Sequence, residues 1–458
     1  MHPLSPRLKI ITCLALFHIS SLSLWTIHNH SLHFQRQPVE LLNKAHEYLT
    51  GSPRFPVSKN DIGFIFKTGY GNQDKIQAIL DTFPNLQNVV LIGDYATRTG
   101  THFKHKDLEI PVYDAIEATL RALPPQRNST RVRSYEELAA AIAAGDEEVA
   151  GSIARAHGWE LDIMKWISGL EMGYRLLPNK KWYMLADDDT FIIEASLLKV
   201  LSKLNPQKPH YLGKGIGGKH EVNRFAHGGS GIVFSSTALS RILRNPSAAH
   251  TASLTGELGD ALTTRLALAN DVHLEERFSL HFNGERPRTT RIRPDRPCEP
   301  IITFHHMSTA DTAEFQQKLS GVTSPVSWMD LWTLYEERGL ERFITQPFRS
   351  DWDHVGVSDR VTEHVETKED CRRICEKFSL DCLAWTWTAG SQTCHTNPWV
   401  VIGNEAVGKV TGVVSRGVKM LRNVSTRSCS RAGSREPVNS QHTEKNRIQD
   451  FNYYSSEN

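Results

Sequence analysis

The sequence predicts an α/β protein with a mixed, mostly parallel central sheet flanked by helices. Two apolar strands, residues 61–69 and 88–94, are separated by a helical segment over residues 75–82. A strand, a helix and a strand with short connections form a βαβ unit, which implies parallel pairing. A third strand, residues 182–186, is apolar throughout, which is typical of a strand that is covered on both faces.

Composition places the chain among globular proteins. Its 458 residues are enough for two or three domains. A hydrophobic content of 39% and a charged content of 23% argue against a disordered chain. The formal net charge is only +2, so bulk charge gives no reason to expect a nucleic-acid partner.

The amino terminus carries an export signal. Residues 10–27 contain no formally charged side chain, and Arg7 and Lys9 precede them. This pattern predicts a cytoplasmic tail over residues 1–9, a single-pass signal anchor over 10–27 and a stem over 28–58. A short span suits the Golgi or endoplasmic reticulum membrane, with the rest of the chain in the lumen. The competing interpretation is a cleaved signal peptide and a secreted protein.

Three consecutive carboxylates, Asp187, Asp188 and Asp189, follow the strand at residues 182–186. α/β proteins bind ligands at the carboxyl ends of strands. Repulsion between adjacent carboxylates is usually met by a bound cation, and Asp187 and Asp189 fall on one face of an extended segment. The pattern therefore predicts a divalent cation that also binds the phosphates of a nucleotide. The alternative is a solvated turn or a helix N-cap, where aspartate is common.

Two helices are predicted before this strand, over residues 134–150 and 159–177. The second has an aromatic and aliphatic stripe at helical spacing, which indicates packing on the sheet: Trp159, Ile163, Trp166, Ile167, Leu170 and Tyr174. On this helix Lys165 follows Asp162 by three residues. The two residues form a surface ion pair or, in the sharper interpretation, Lys165 contacts a phosphate.

Three further motifs follow the carboxylates. Residues 225–234 combine a glycine-rich loop with an apolar strand, and glycines permit close approach of a ligand. Asp260 enters an apolar helix, where it is either a helix N-cap or a functional carboxylate. His305 and His306 end an apolar strand over residues 301–306, and neutral imidazole is a good ligand for a transition metal.

The order of these motifs resembles the fringe-like β-1,3-glycosyltransferases of glycosyltransferase family 31. The motifs are KTG, KWYMLADDDTFI, FAHGGSGIVFSS, GELGD and ITFHH, and the resemblance covers residues 61–307. It implies a GT-A fold over residues 59–348 and an inverting transfer with Mn²⁺ from a UDP-sugar to a glycan or glycoprotein, forming a β-1,3 linkage. The chain departs from the family at Gly259, where members often carry an acidic residue. It also has one cysteine in this region, Cys298, where animal fringes carry several.

The resemblance also implies which residues form the site. Asp187, Asp189 and His305 match its metal-binding positions, and His306 is the substitute because the histidine is doubled. We expect further contacts with the nucleotide sugar from Lys67, Thr68, Asp94, Lys165, Asp188, Gly228 and Gly229.

Asp260 matches the family's base, which takes the proton of the acceptor hydroxyl. One positioned carboxylate in this role contributes roughly two to four orders of magnitude in rate. If Asp260 is a cap instead, Glu257 is the next candidate. A metal held by carboxylate and imidazole would stabilise the charge on the departing diphosphate, and that mixed ligand set favours Mn²⁺ over Mg²⁺.

The carboxyl-terminal part is a separate cysteine-rich module. In an exported chain the cluster of Cys371, Cys375, Cys382 and Cys394 indicates disulfides, although four cysteines allow three pairings. A helix with the first two cysteines, then a tryptophan-containing strand, resemble a PAN/apple module over residues 351–421. The resemblance implies nested bonds, Cys371–Cys394 and Cys375–Cys382. Such a module binds protein or carbohydrate, or it is a structural cap.

Two sequons, at Asn128 and Asn423, predict glycosylation in the lumen. The polar residues 422–458 predict a disordered tail.

Two other functions compete with the transferase. One is a catalytically silent glycan- or protein-binding protein that uses the apple-like module. The other is a metal-dependent phosphatase or nuclease, which needs more acidic ligands than the sequence offers.

Overall fold

The computed structural model describes residues 54–97, 103–105, 108–124, 129–217, 224–256, 258–335 and 341–426. The predicted anchor at residues 10–27, Asn128, Glu257 and the chain beyond residue 426 lie outside the described residues. No helix within those described ranges is both long and apolar enough to cross a membrane.

The chain divides into two compact units, Met1–Pro56 with Ser202–Leu204, and Val57–Leu201 with Asn205–Asn458. In the first unit the backbone N–H of Phe55 donates to the carbonyl of Ser202 at 2.9 Å. The sheets, the helices and the candidate site belong to the second unit.

Twelve strands are described up to residue 304. In chain order they are β1 (Ile62–Lys67), β2 (Val89–Gly93), β3 (Phe103–His105), β4 (Leu108–Ile110), β5 (Val112–Asp114), β6 (Trp182–Asp187), β7 (Phe191–Ile192), β8 (Tyr211–Gly213), β9 (Gly215–Gly217), β10 (Arg224–Ala226), β11 (Ile232–Ser235) and β12 (Thr303–Phe304). Among them, β5, β2, β1, β6, β11 and β8 form one sheet in that order. β5, β2, β1 and β6 are parallel, whereas β11 is antiparallel to β6 and to β8. This mostly parallel sheet is consistent with a GT-A-like fold.

Helices flank the sheet. Up to residue 335 they are α1 (Gln73–Leu80), α2 (Ala115–Arg121), α3 (Thr130–Ala144), α4 (Glu147–Leu176), α5 (Glu194–Leu201), α6 (Ser236–Ile242), α7 (Ser247–Ser253), α8 (Gly259–Ala269), α9 (Thr309–Lys318) and α10 (Trp328–Tyr335). The helix predicted over residues 134–150 ends instead at Ala144, because Gly145 takes a left-handed conformation with φ of 76°. The side chain of Asp146 accepts from the N–H of Val149 and starts α4 twelve residues before the predicted position 159.

The long helix α4 lies directly on the sheet. A Cβ atom at Gly169 would overlap Ile92 of β2, and one at Gly173 would overlap Ile65 of β1. The second half of α4 shares a buried cluster with these strands, as its aromatic and aliphatic stripe predicts. The prediction is wrong for Trp159, the first residue of that stripe, because its side chain is exposed in the outer half of the helix. The two glycines permit this close approach, which fixes α4 relative to the carboxyl ends of β1 and β2.

The carboxyl-terminal module is an antiparallel sheet with short helices. Its elements are α11 (Glu341–Thr345), β13 (Arg349–Asp353), β14 (Val361–Thr362), α12 (Lys368–Arg373), β15 (Ala384–Thr388), β16 (Thr393–Asn397), β17 (Asn404–Val413) and α13 (Ser415–Thr426). The strand order is β13, β17, β15, β16, β14. Disulfides join Cys371 to Cys394 and Cys375 to Cys382, which is the nested arrangement that the apple-like resemblance implies. Asn423 lies within α13, so the tail predicted from residue 422 overlaps the end of this helix.

The module shares a hydrophobic core with the rest of the unit. Phe191 of β7 and Phe304 of β12 belong to the same buried cluster as Val355, Leu383 and Ile402 of the module. A continuous core of this kind is what a structural cap requires.

Polar and aromatic contacts add to this packing. Ile292 pairs with Val400 in an isolated antiparallel bridge. The guanidinium groups of Arg291 and Arg293 lie 4.9 and 4.8 Å from the ring centre of Trp399. The module is therefore bound to the rest of the unit through backbone, apolar and cation–π contacts together.

Candidate active site

A cleft of about 670 Å³ lies at the carboxyl ends of β1, β2 and β6. It is the position at which parallel α/β sheets bind ligands. The residues predicted to bind the metal, the nucleotide sugar or the acceptor proton all line it: Lys67, Thr68, Asp94, Lys165, Asp187, Asp188, Asp189, Gly228, Gly229, Asp260 and His305.

Asp189, His305 and His306 form a group of candidate metal ligands. One ligand atom of each lies within 4.8 Å of those of the others. Asp189 lies in a turn in which the N–H of Thr190 donates to the carbonyl of Asp187, and the N–H of Met307, next to the histidines, donates to the carbonyl of Asp189, each at 3.1 Å. These two hydrogen bonds bring the histidines to the carboxylate.

Electrostatics within this group favour a charged carboxylate. Nε2 of His305 lies 3.1 Å from Oδ1 of Asp189. Burial raises the pKa of Asp189, but His305 outweighs it, and that pKa falls to about 2. Burial also disfavours the imidazolium of His305, yet the carboxylate of Asp189 prevails and the pKa of His305 is raised. A cation is therefore favoured at this position.

The group of candidate ligands includes His306 and does not include Asp187. Asp187 places Oδ1 2.8 Å from the ammonium of Lys67, while its Oδ2 lies 3.9 Å from Nε2 of His305. His306 lies inside the group of ligands, and its backbone has a left-handed φ of 58°. The geometry thus groups Asp189 with both histidines and leaves Asp187 at the edge.

The residues fit a transition metal. Nδ1 of His305 is buried and has no hydrogen-bond partner, which is unusual for an imidazole whose other nitrogen is engaged. One carboxylate with two imidazoles suits Mn²⁺ better than Mg²⁺. Asp189, His305 and His306 would hold such an ion.

Lys67 lies in a buried charge network rather than free in the cleft. Its ammonium contacts Oδ2 of Asp162 at 2.7 Å and Oδ1 of Asp187 at 2.8 Å, and it lies 4.0 Å from the ring centre of Trp166. Burial lowers the pKa of Lys67, but the two carboxylates outweigh burial and raise it. Lys67 therefore remains charged and positions Asp187.

The ion pair of Lys165 with Asp162 that was considered from the sequence is present, at 3.3 Å between Nζ and Oδ1, but Lys165 is buried and the pair is not on the surface. Its ammonium donates to the carbonyl of Thr68 at 2.9 Å and lies 3.5 Å from Asp94. Asp94 also accepts from the N–H of Tyr70 at 2.8 Å. Asp188 accepts from the hydroxyl of Thr68 at 2.8 Å, and burial with neighbouring Asp189 raises its pKa to about 7. These contacts hold the loop after β1 against β6.

Three glycines are required by the side chains around them. A Cβ at Gly229 would overlap the imidazole of His305. A Cβ at Gly228 or at Gly259 would overlap the indole of Trp166, whose Nε1 donates to Asp162 at 3.0 Å. Trp166 thus occupies the space beside position 259, which accounts for glycine where the family often has an acidic residue.

Asp260 is the second residue of α8, and the N-cap position belongs to Leu258, so the N-cap interpretation is wrong. One oxygen of Asp260 accepts from the N–H of Gly228 at 3.0 Å, and the other accepts from the N–H of Ala261 at 2.8 Å. Burial raises the pKa of Asp260 to about 6, against the opposing effect of these two hydrogen bonds. A carboxylate with a pKa near neutrality is suited to act as a base.

Sequence reasoning missed His227 as a site residue. It lines the cleft, its ring centre lies 5.4 Å from that of His305, and its Nδ1 contacts the hydroxyl of Ser230 at 2.7 Å. Burial lowers the pKa of His227, and so does His305. His227 immediately precedes Gly228, so its place in the glycine-rich motif was the available signal.

One family of known proteins matches the part of the chain that carries most of these residues. The Fringe-like family model matches residues 162–337. The chain contains a fringe-like domain. The matched range includes the three carboxylates, both glycines, Asp260 and the histidines, whereas Lys67, Thr68, Asp94 and the carboxyl-terminal module lie outside it.

Two curated relatives match a shorter part. Chondroitin sulfate synthase 3 of Mus musculus and of Homo sapiens are each 37% identical to the chain over 76 residues. The match covers 15% of this chain and 9% of each relative. Together with the fringe-like domain, these matches support a glycosyltransferase.

Proposed function

We propose that the protein transfers a sugar from a nucleotide sugar to a hydroxyl group of a glycan or glycoprotein. One observation carries the proposal. Gly228 donates to the carboxylate of Asp260, and Gly229 packs against His305, so consecutive glycines join a candidate base to a candidate metal centre. Transfer to a hydroxyl needs both, because a proton leaves as negative charge builds on the diphosphate.

The finer proposal is an inverting transfer from a UDP-sugar with Mn²⁺, giving a β-1,3 linkage. The fringe-like match and the mixed carboxylate and imidazole ligands support it. When bound, the metal would act as a Lewis acid toward the diphosphate. Two backbone N–H groups donate to the carboxylate of Asp260 and hold it in place, and this carboxylate takes the proton of the acceptor hydroxyl. Lys67 keeps Asp187 in place.

We propose that the protein acts in the lumen of the Golgi or endoplasmic reticulum, anchored by residues 10–27. The disulfides Cys371–Cys394 and Cys375–Cys382 suit that oxidising compartment. The carboxyl-terminal module is proposed as a PAN/apple-like domain that acts as a structural cap, since it shares a hydrophobic core with the fringe-like part.

The test is release of nucleoside diphosphate from a panel of nucleotide sugars by the purified full chain with Mn²⁺. We expect one sugar nucleotide to be hydrolysed slowly without an acceptor and faster with one, and chelation of the metal should stop both reactions. Asp189→Asn serves as the inactive control. If no sugar nucleotide is hydrolysed with Mn²⁺, the catalytically silent binding protein becomes the better assignment.

A further inference from the structure

The outer half of α4 presents an exposed aromatic side chain to the cleft. Trp159 is 60% exposed, and Leu258, next to Gly259 and Asp260, is 41% exposed. Of the exposed large apolar side chains in the described part of the chain, these two line the cleft. Exposed apolar surface inside a polar cleft marks a binding surface rather than a packing defect.

Arg155 stands one turn from Trp159 on the same face of α4. Both line the cleft and both are exposed. Residues three and four positions from Arg155 are Gly151, Ser152, Gly158 and Trp159, so no neighbouring acidic side chain on the helix neutralises it. A guanidinium beside an aromatic ring at a cleft mouth is suited to an anionic ligand with an apolar face.

The position of this surface indicates which substrate it would bind. Trp159 lies seven residues, or about 10 Å along the helix, before Trp166. The indole of Trp166 packs against Gly228, which donates its N–H to Asp260, and against Gly259, which immediately precedes Asp260. The surface therefore continues outward from the candidate base, while the candidate metal ligands lie after β6 and after β12. An acceptor must approach the base, so this is the acceptor side.

We propose that Trp159, Leu258 and Arg155 form an acceptor subsite for an acidic glycan. A sugar ring would stack with its C–H face on the indole of Trp159 and against Leu258, and a carboxylate or sulfate on the glycan would pair with Arg155. This inference rests on the proposed function, because it names the substrate class of the same site.

The test compares three hexasaccharide probes with one backbone: unsulfated chondroitin, its 6-sulfated form and its carboxyl-reduced form. Transfer to each probe and donor hydrolysis without a probe are measured on the full chain. We expect wild-type kcat/KM at least tenfold higher for a probe with carboxylates or sulfates than for the carboxyl-reduced one. Trp159→Ala should raise the KM of every probe at least tenfold, and with Trp159→Phe the KM should return most of the way to the wild-type value. Arg155→Gln should reduce the preference for anionic probes to below threefold.

Matched controls lie outside the cleft. Phe378→Ala removes an exposed aromatic ring, and Arg133→Gln removes an exposed guanidinium. Transfer to each probe and donor hydrolysis by both variants should stay within twofold of wild type. The subsite is rejected if Trp159→Ala transfers like wild type, if donor hydrolysis falls by the same factor as transfer, or if an enzyme that hydrolyses its donor accepts no probe or ignores their charge. Absence of donor hydrolysis in the wild type would instead reject the proposed function.

Discussion

The proposed chemistry depends most on Asp260. Its two oxygens each accept a backbone N–H, so the carboxylate is held in one orientation. Burial raises its pKa to about 6, which leaves it ionised at neutral pH while keeping it basic enough to accept a proton. An enzyme that depends on such a base loses activity as the pH falls through the pKa of that base.

Asp260→Asn should lower the rate of transfer by two orders of magnitude or more, because the proton acceptor is removed. The affinity for nucleotide should change less than threefold, since the candidate metal ligands are other residues. In the wild type, kcat should fall about tenfold per pH unit below pH 6, and this dependence should vanish from the residual activity of the variant. Asp271→Asn, at an exposed position, is the control. Near-normal turnover in Asp260→Asn would exclude it as the base.

The candidate metal centre can be tested without an assay of activity. The Kd for Mn²⁺ is measured by titration, with the signal of the free ion as the readout. We expect it to be at least tenfold higher for Asp189→Asn and for His306→Gln than for the wild type. Asp187→Asn should raise it less than threefold, because one oxygen of Asp187 is already committed to Lys67. If His306→Gln binds normally and Asp187→Asn does not, the ligand set implied by the resemblance is the right one.

Among the elements, α4 connects most parts of the site. Its buried half supplies Asp162, Lys165 and Trp166, which contact β1, the loop after β1 and the start of α8. Its outer half carries Arg155 and Trp159 to the mouth of the cleft. One rigid helix thus places the charge network and the proposed acceptor surface relative to each other.

The packing of α4 on α8 can be tested at Gly259. Gly259→Ala should lower the free energy of unfolding by about 1–3 kcal/mol, because a Cβ there overlaps the indole of Trp166. Adding Trp166→Leu should recover part of that loss. Gly158→Ala is the control: its Cβ meets no atom within 4 Å, and alanine in a helix is up to about 1 kcal/mol more stable than glycine. Urea unfolding measures all three, and an unchanged stability in Gly259→Ala would contradict the packing.

At the scale of the whole molecule, the cysteine-rich module packs behind the candidate metal centre. Phe191 lies two residues after Asp189, and Phe304 immediately precedes His305. Both rings are buried in the core that the module shares. Strands β7 and β12 pair with each other, and each therefore places a residue near the candidate ligands in that core.

Deleting residues 351–458 should therefore give a protein that does not unfold cooperatively, because Phe191, Phe304 and their neighbours would lose their cover. Thermal unfolding followed by near-ultraviolet circular dichroism is the measurement. The matched control is deletion of residues 431–458 alone, which should keep the cooperative transition. A truncated protein that folds and retains donor hydrolysis would show that the module is a separate recruiting domain.

Local pattern was sufficient to predict strands β1, β2, β6 and β11 of the sheet, but not its outer strands β5 and β8, as well as the three carboxylates at the end of β6 and the glycine-rich motif. Each depends on residues that are neighbours in sequence, so periodicity and turn chemistry reveal them. The burial of Lys165, the grouping of His306 with Asp189 and the place of Asp260 inside α8 were decided only by the tertiary structure. They depend on partners far along the chain, such as Thr68 for Lys165 and Gly228 for Asp260. The same reason explains the shared core: no single segment records which distant apolar faces will meet, because that is set by packing of the whole chain.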